Sequence, residues 1–85
     1  MKPFTVQWEK LVLGALADIW IDAPDRQAVT QAEAAIERLL ERDPLNAGEH
    51  LSEGLYRLDV HPLRVFFTVD TDKALVQVTG VKYRP

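Results

Sequence analysis

The apolar residues of this chain change from a helical to an alternating period at Asp43-Pro44, and that change constrains the fold more than any motif does. Before it they recur at three- and four-residue steps, which suits helices; after it they alternate, which suits strands. Ahead of the helical stretch, Phe4, Val6 and Trp8 also alternate, predicting a first strand over Phe4–Trp8. From Glu9 to Ile21, Val12, Ala15, Leu16, Ile19 and Trp20 lie along one helical stripe. Asp22-Ala23-Pro24-Asp25 then turns the chain: Pro24 lacks an amide donor, Asp22 is placed to cap freed amides, and Asp25 suits the positive end of the next helix. A second helix over Pro24–Arg42 carries Ala28, Val29, Ala32, Ala35, Ile36, Leu39 and Leu40 on one face, with its charged residues turned to solvent. Asp43-Pro44 ends it, and Leu45–Gly54, with Asn46, Gly48, Ser52 and Gly54, reads as a loop.

The second half reads as three strands, Leu55–Val60, Leu63–Val69 and Ala74–Tyr83, joined by His61-Pro62 and by Asp70-Thr71-Asp72-Lys73. Connections this short favour an antiparallel meander. The expected fold is a single α+β domain spanning residues 1–85, in the order β-α-α-β-β-β, with a helical hairpin on one face of the sheet.

Strand parity then predicts where side chains point. Tyr56, Leu58, Val60, Val65, Phe67, Val69, Val76 and Val78 form the inward set. Arg57, Arg64, Phe66, Gln77, Thr79, Val81 and Tyr83 share the open face, provided that no bulge interrupts the last strand. Guanidinium groups grip phosphate bidentately, aromatic rings stack on bases, and a phenol exchanges protons, so the set suits RNA. The alternative for Arg57 is an ordinary surface ion pair with Asp59, Asp70 or Glu53. Phe66 and Val81, apolar on an open face, point to a contact surface.

Composition narrows the chemistry. The chain has no cysteine, which removes disulfides, thiolate metal sites and cysteine nucleophiles. Its formal net charge of −3 argues against a general nucleic-acid coat. The excess acid lies in residues 1–45, with five basic and eight acidic side chains, whereas residues 46–85 hold five of each, so an anion site belongs in the second half. His50 and His61 lack the spacing and carboxylate neighbours of a metal site and read as solvated side chains; no metal or cofactor motif is present. Trp8 and Trp20 read as core or partner contacts. Met1-Lys2-Pro3-Phe4 shows no apolar leader, and no apolar run reaches the roughly 18 residues that span a bilayer, so a cytoplasmic protein without a membrane partner is expected.

The run Phe4-Thr5-Val6-Gln7-Trp8, then Leu16-Ala17-Asp18-Ile19-Trp20, Ala35-Ile36-Glu37-Arg38-Leu39-Leu40 and Asp43-Pro44 with Gly48, resembles the RelE/ParE toxin superfamily of type II toxin–antitoxin systems. Leu55-Tyr56-Arg57-Leu58, Leu63 to Asp70 and Val76-Gln77-Val78-Thr79-Gly80-Val81 resemble its later strands. The resemblance implies a small toxin neutralised by a cognate antitoxin. In the RelE branch it implies a ribosome-dependent mRNA endoribonuclease, with Arg57 and Arg64 holding phosphate, Tyr83 assisting deprotonation of the ribose 2′-hydroxyl, and Lys82, Arg84 and Phe66 contacting RNA. In the ParE branch it implies a non-nuclease that inhibits DNA gyrase, and an inactive antitoxin-binding relative is a further alternative. Residues 45–56 contain no lysine, where ribosome-dependent members carry several, so the branches stay open.

Overall fold

The computed structural model describes residues 3–85, so the reading of the N-terminal segment falls partly outside it. The first strand, β1, is Thr5–Trp8; it alternates exposed Thr5 and Gln7 with half-buried Val6 and Trp8. The first helix, α1, is Lys10–Asp22, and it stops where the Ala23 amide donates to the Ile19 carbonyl and Pro24 follows. The second, α2, is Arg26–Arg42. Its cap is Asp25, whose carboxylate accepts from the Ala28 amide at 3.0 Å, so the capping role expected of Asp22 falls to Asp25.

Val12 and Leu16 of α1 meet Val29, Ala32, Ile36 and Leu40 of α2 in the core. Two residues of the stripe read from sequence turn away from it: Ala15 is exposed, and Trp20 is 42% exposed. Trp20 is held outside by α2, its indole N–H donating to Thr30 Oγ1 at 3.1 Å and the Arg26 guanidinium lying 4.7 Å over its ring. Arg26 also donates to the Trp20 and Ile21 carbonyls, satisfying two of the acceptors left free at the end of α1.

The segment expected to be a loop is partly regular. Pro44–Ala47 forms a single turn of helix, α3, and Glu49–Ser52 forms strand β2, paired antiparallel with β3 (Leu55–Val60). Its four side chains are all exposed, so no apolar period marked it; pairing with β3 makes it a strand. β4 is Leu63–Asp70 and β5 is Leu75–Tyr83. Ala74, expected to begin the last strand, instead closes the turn with φ 49°.

The sheet order is β1-β5-β4-β3-β2. The meander is antiparallel as expected, but β1 runs parallel to β5, because the helical hairpin carries the chain across the sheet before the meander starts. One face packs on α1 and α2, with Leu58, Leu63, Val65, Phe67, Val76 and Val78 buried there and Tyr56, Val60 and Val69 half-buried beside them. Among the described residues the other face carries no long helix. Among the described residues no helix is long and apolar enough to cross a membrane.

Candidate functional site

The open face is organised by one irregularity. Along β4 and β5 the register pairs Phe67 with Val78 but Phe66 with Gly80, leaving Thr79 as an extra residue in β5. An extra residue reverses the parity of everything beyond it. Gly80 follows the extra residue, and a Cβ there would stand a tight 3.3 Å from Cδ2 of Phe66, whose ring lies over the glycine. The Thr79 hydroxyl donates to the Phe66 carbonyl at 3.4 Å.

The bulge moves Val81 and Tyr83 to the helix-covered face. They pair with the buried Val65 and Leu63 and pack against the core, and Tyr83 lines a shallow hollow with Asp18, Ile19, Asp22 and Ala23 of the α1 end. The expected convergence of Tyr83 with the two arginines is therefore corrected: Tyr83 lies across the sheet from them. The same reversal brings Lys82 opposite Arg64 on the open face. Arg84 follows beyond the strand and, with Asp59, His61 and Arg64, borders a polar hollow of about 220 Å³.

Arg57 and Arg64 share the open face, since Arg57 pairs with Phe66 and Arg64 with Asp59 across β3 and β4. Neither guanidinium is free. Arg64 Nε donates to Asp59 Oδ1 at 2.6 Å and its Nη2 to Oδ2 at 2.9 Å, a bidentate fork. Arg57 Nη2 donates to Glu49 Oε2 at 2.6 Å across β2 and β3, so its partner is none of the three acids expected from sequence. The arginine side chains are 30% and 19% exposed for Arg57 and Arg64, their carboxylate partners 65% and 53%. The cations are seated in the sheet and the anions stand outside it.

The hydrogen bond from Arg64 holds the Asp59 carboxyl below the usual carboxylate range, with the charges of Arg64, Arg57 and Arg84 adding to it. The pair holds Arg64 correspondingly more firmly in its charged form. Arg57, Arg64, Lys82 and Arg84 against Glu49 and Asp59 leave this patch cationic in a chain that is acidic overall. The half-buried Phe66 ring sits among them. Glu49 and Asp59 were not expected as members of the site, and His61, read from sequence as a solvated side chain, borders it. No cluster of metal-ligating side chains occurs among the described residues.

A second surface lies on the opposite side. Leu13, Leu16, Ala17, Trp20, Ile21, Val29, Thr30 and Glu33 line an apolar groove of about 470 Å³ between α1 and α2. Leu13 is 50% exposed and Ile21 56%. Burial in this groove, aided by the neighbouring charge of Glu37, pushes the Glu33 carboxyl up.

No protein-family model matches the chain, and no curated protein matches it in sequence. Solved structures do. A chain of the RelBE2 toxin–antitoxin complex of Mycobacterium tuberculosis superposes with a TM-score of 0.81 at 20% identity, covering 99% of this chain and 94% of that one. The isolated E. coli RelE toxin superposes with a TM-score of 0.69 at 15% identity over 96% of this chain and 85% of that one. A chain of the chromosomal ParDE system of P. aeruginosa gives 0.66 at 15% identity over 96% and 97%. The match to isolated RelE identifies the shared fold as that of the toxin, and the fold resemblance read from sequence is borne out: this chain has the RelE/ParE toxin fold.

Proposed function

We propose that this chain is the toxin of a type II toxin–antitoxin system and that its open sheet face binds and cuts mRNA at the ribosome, as a RelE-like endoribonuclease. The observation that carries this reading is the gathering of Arg57, Arg64, Lys82 and Arg84 around Phe66 on a face without helices. Phosphate bound between Arg64 and Lys82 is gripped by paired donors, and a base stacks on Phe66. In the cleavage step the ribose O2′ attacks the adjacent phosphorus, the O2′–P bond forms and the P–O5′ bond breaks, leaving a 2′,3′-cyclic phosphate and a 5′-hydroxyl. Arg64 and Arg57 stabilise the charge growing on the non-bridging oxygens. The proton leaving O2′ and the proton gained by O5′ are handled from the open face, where His61 and Lys82 stand beside Arg64 in place of Tyr83.

The chains matched in the M. tuberculosis and P. aeruginosa structures come from complexes or systems with antitoxins, and a neutralising antitoxin is the partner proposed here. The α1–α2 groove, with Leu13 and Ile21 exposed at its rim, suits an amphipathic segment of such a partner. A second reading is favoured by Glu49 and Asp59, which pair with the two guanidiniums: a face of alternating charge suits a protein target, DNA gyrase in the ParE branch. Primer extension on mRNA from a reconstituted translation reaction separates the two. The nuclease reading predicts cuts with the wild-type chain that disappear in Arg64→Ala. Intact mRNA together with blocked gyrase supercoiling overturns it in favour of the second.

A further inference from the structure

The two arginines best seated to hold phosphate are already holding carboxylates. Asp59 fills both arms of the Arg64 fork, which is the geometry a phosphate's paired oxygens adopt on a guanidinium. Glu49 takes one arm of Arg57. Both acids come from the sheet itself: Asp59 faces Arg64 directly across the β3–β4 hairpin, and Glu49 faces Arg57 across β2 and β3. Strand pairing thus keeps each carboxylate within reach of its arginine at all times, so its effective concentration is high. The carboxylates are also the exposed partners of the two pairs, free to swing into solvent when something better arrives. Lys82 and Arg84, by contrast, make no salt bridge among the described residues.

We propose that Asp59, seconded by Glu49, is a specificity-determining residue: it occupies the phosphate grip of the open face as an internal competitor, so that free RNA binds poorly and only RNA held in place by other contacts displaces it. The proposal rests on the RNA reading given above and adds to it the reason an acidic chain with a cationic patch ignores most of the polyanion around it. Exchange on Arg64 is chemically even, one bidentate anion for another, so local RNA concentration decides which one sits there. Lys82 and Arg84 give an incoming backbone a first foothold beside the occupied fork.

The test uses the whole chain and a labelled, uniform single-stranded RNA oligonucleotide, with binding measured by fluorescence anisotropy across a salt series. Asp59→Asn keeps the shape and removes the competing charge. Asp72→Asn, in the β4–β5 turn at the far end of the sheet, changes net charge identically without touching an arginine fork. The expected result is binding about two- to fivefold tighter for Asp59→Asn than for wild type, the size of one exposed ion pair. Its salt dependence should steepen by about 0.7 in logarithmic slope, as for one extra phosphate contact on a single strand. Asp72→Asn should show neither effect, and the gain should vanish when Arg64→Ala is added. Equal affinity for wild type and Asp59→Asn, both weakened by Arg64→Ala, overturns the internal competitor and leaves the RNA face standing. Binding that is absent throughout, or indifferent to Arg64→Ala, overturns the RNA reading itself. If Asp59→Asn does not fold, the Arg64 Nε–H resonance of the wild-type chain decides the matter: it should move on RNA binding as the carboxylate leaves, and a resonance unmoved at saturation overturns the proposal.

Discussion

Replacing Gly48 with alanine should damage the fold and the site together. Gly48 sits between α3 and β2 with extended backbone angles of −112° and 175°, which any residue adopts, so space is what matters. A Cβ there would stand 2.7 Å from the Arg57 carbonyl oxygen and 2.8 Å from Cζ of Phe67. Neither neighbour yields easily. The carbonyl belongs to the β3 backbone, and the Phe67 ring is fully buried and stacked on Tyr56 with centroids 5.5 Å apart. Overpacking a filled core costs about 1–3 kcal/mol; with two immovable contacts we take about 2 kcal/mol. For a domain of this size that lowers Tm by roughly 8–16 °C. Because Glu49 follows directly, relief by shifting β2 outward also loosens the Glu49–Arg57 pair. The matched control is Gly14→Ala in α1, where a Cβ meets nothing within 4 Å and helix propensity should raise Tm by about 2–8 °C. Thermal melts of both variants by circular dichroism test the pair. A Gly48→Ala protein melting within about 3 °C of wild type would refute the close approach of β2, β3 and Phe67.

Glu33→Gln should stabilise the chain at neutral pH by a few tenths of a kcal/mol, roughly a surface-charge effect. The folded carboxyl is raised by burial and by Glu37, so the folded state binds its proton more tightly and stability falls as pH rises through that raised value. The advantage of glutamine should therefore disappear well below the carboxylate range; a difference in Tm that is constant with pH contradicts the assignment. Asp59 has the opposite sign: its lowered carboxyl contributes stability above the unfolded value that is lost as pH falls through the folded one, freeing Arg64. The Arg64 Nε–H signal should shift in that acidic window, and a signal constant through it would deny the ion pair. Leu13→Glu should weaken binding of the antitoxin proposed as partner by at least about 30-fold, a hot-spot loss of about 2 kcal/mol, without lowering Tm, because Leu13 is half exposed. Undiminished binding, measured by calorimetry, moves the partner to another surface.

The inward set of the meander was legible because both faces of those strands are chemically distinct: Leu58, Val65, Phe67, Val76 and Val78 are buried as their parity required. Parity failed beyond Thr79, where a bulge costs one residue and leaves no mark in composition. Two signals were there to be read: Gly80 in a strand interior, and Val81 standing three residues after the inward Val78, an odd step that two-residue alternation does not allow. The Asp59–Arg64 pair was also implicit, since a turn at His61-Pro62 sets residues 59 and 64 opposite each other. The Glu49–Arg57 pair was not, because β2 buries no side chain and so has no apolar period. Trp20 misled for a related reason. It lies on the helical stripe by spacing, but the hydrogen bond to Thr30 and the Arg26 guanidinium over its ring hold it at the groove.

The reversal at Thr79 decides which side chains share a face with Arg57 and Arg64, and nuclear Overhauser contacts of the Tyr83 ring report it directly. The account predicts cross-peaks from that ring to the Ile19 and Ala23 methyl groups at the end of α1, with the Lys82 side chain instead contacting Arg64. Cross-peaks from the Tyr83 ring to Arg64 or Phe66, with none to α1, would contradict it.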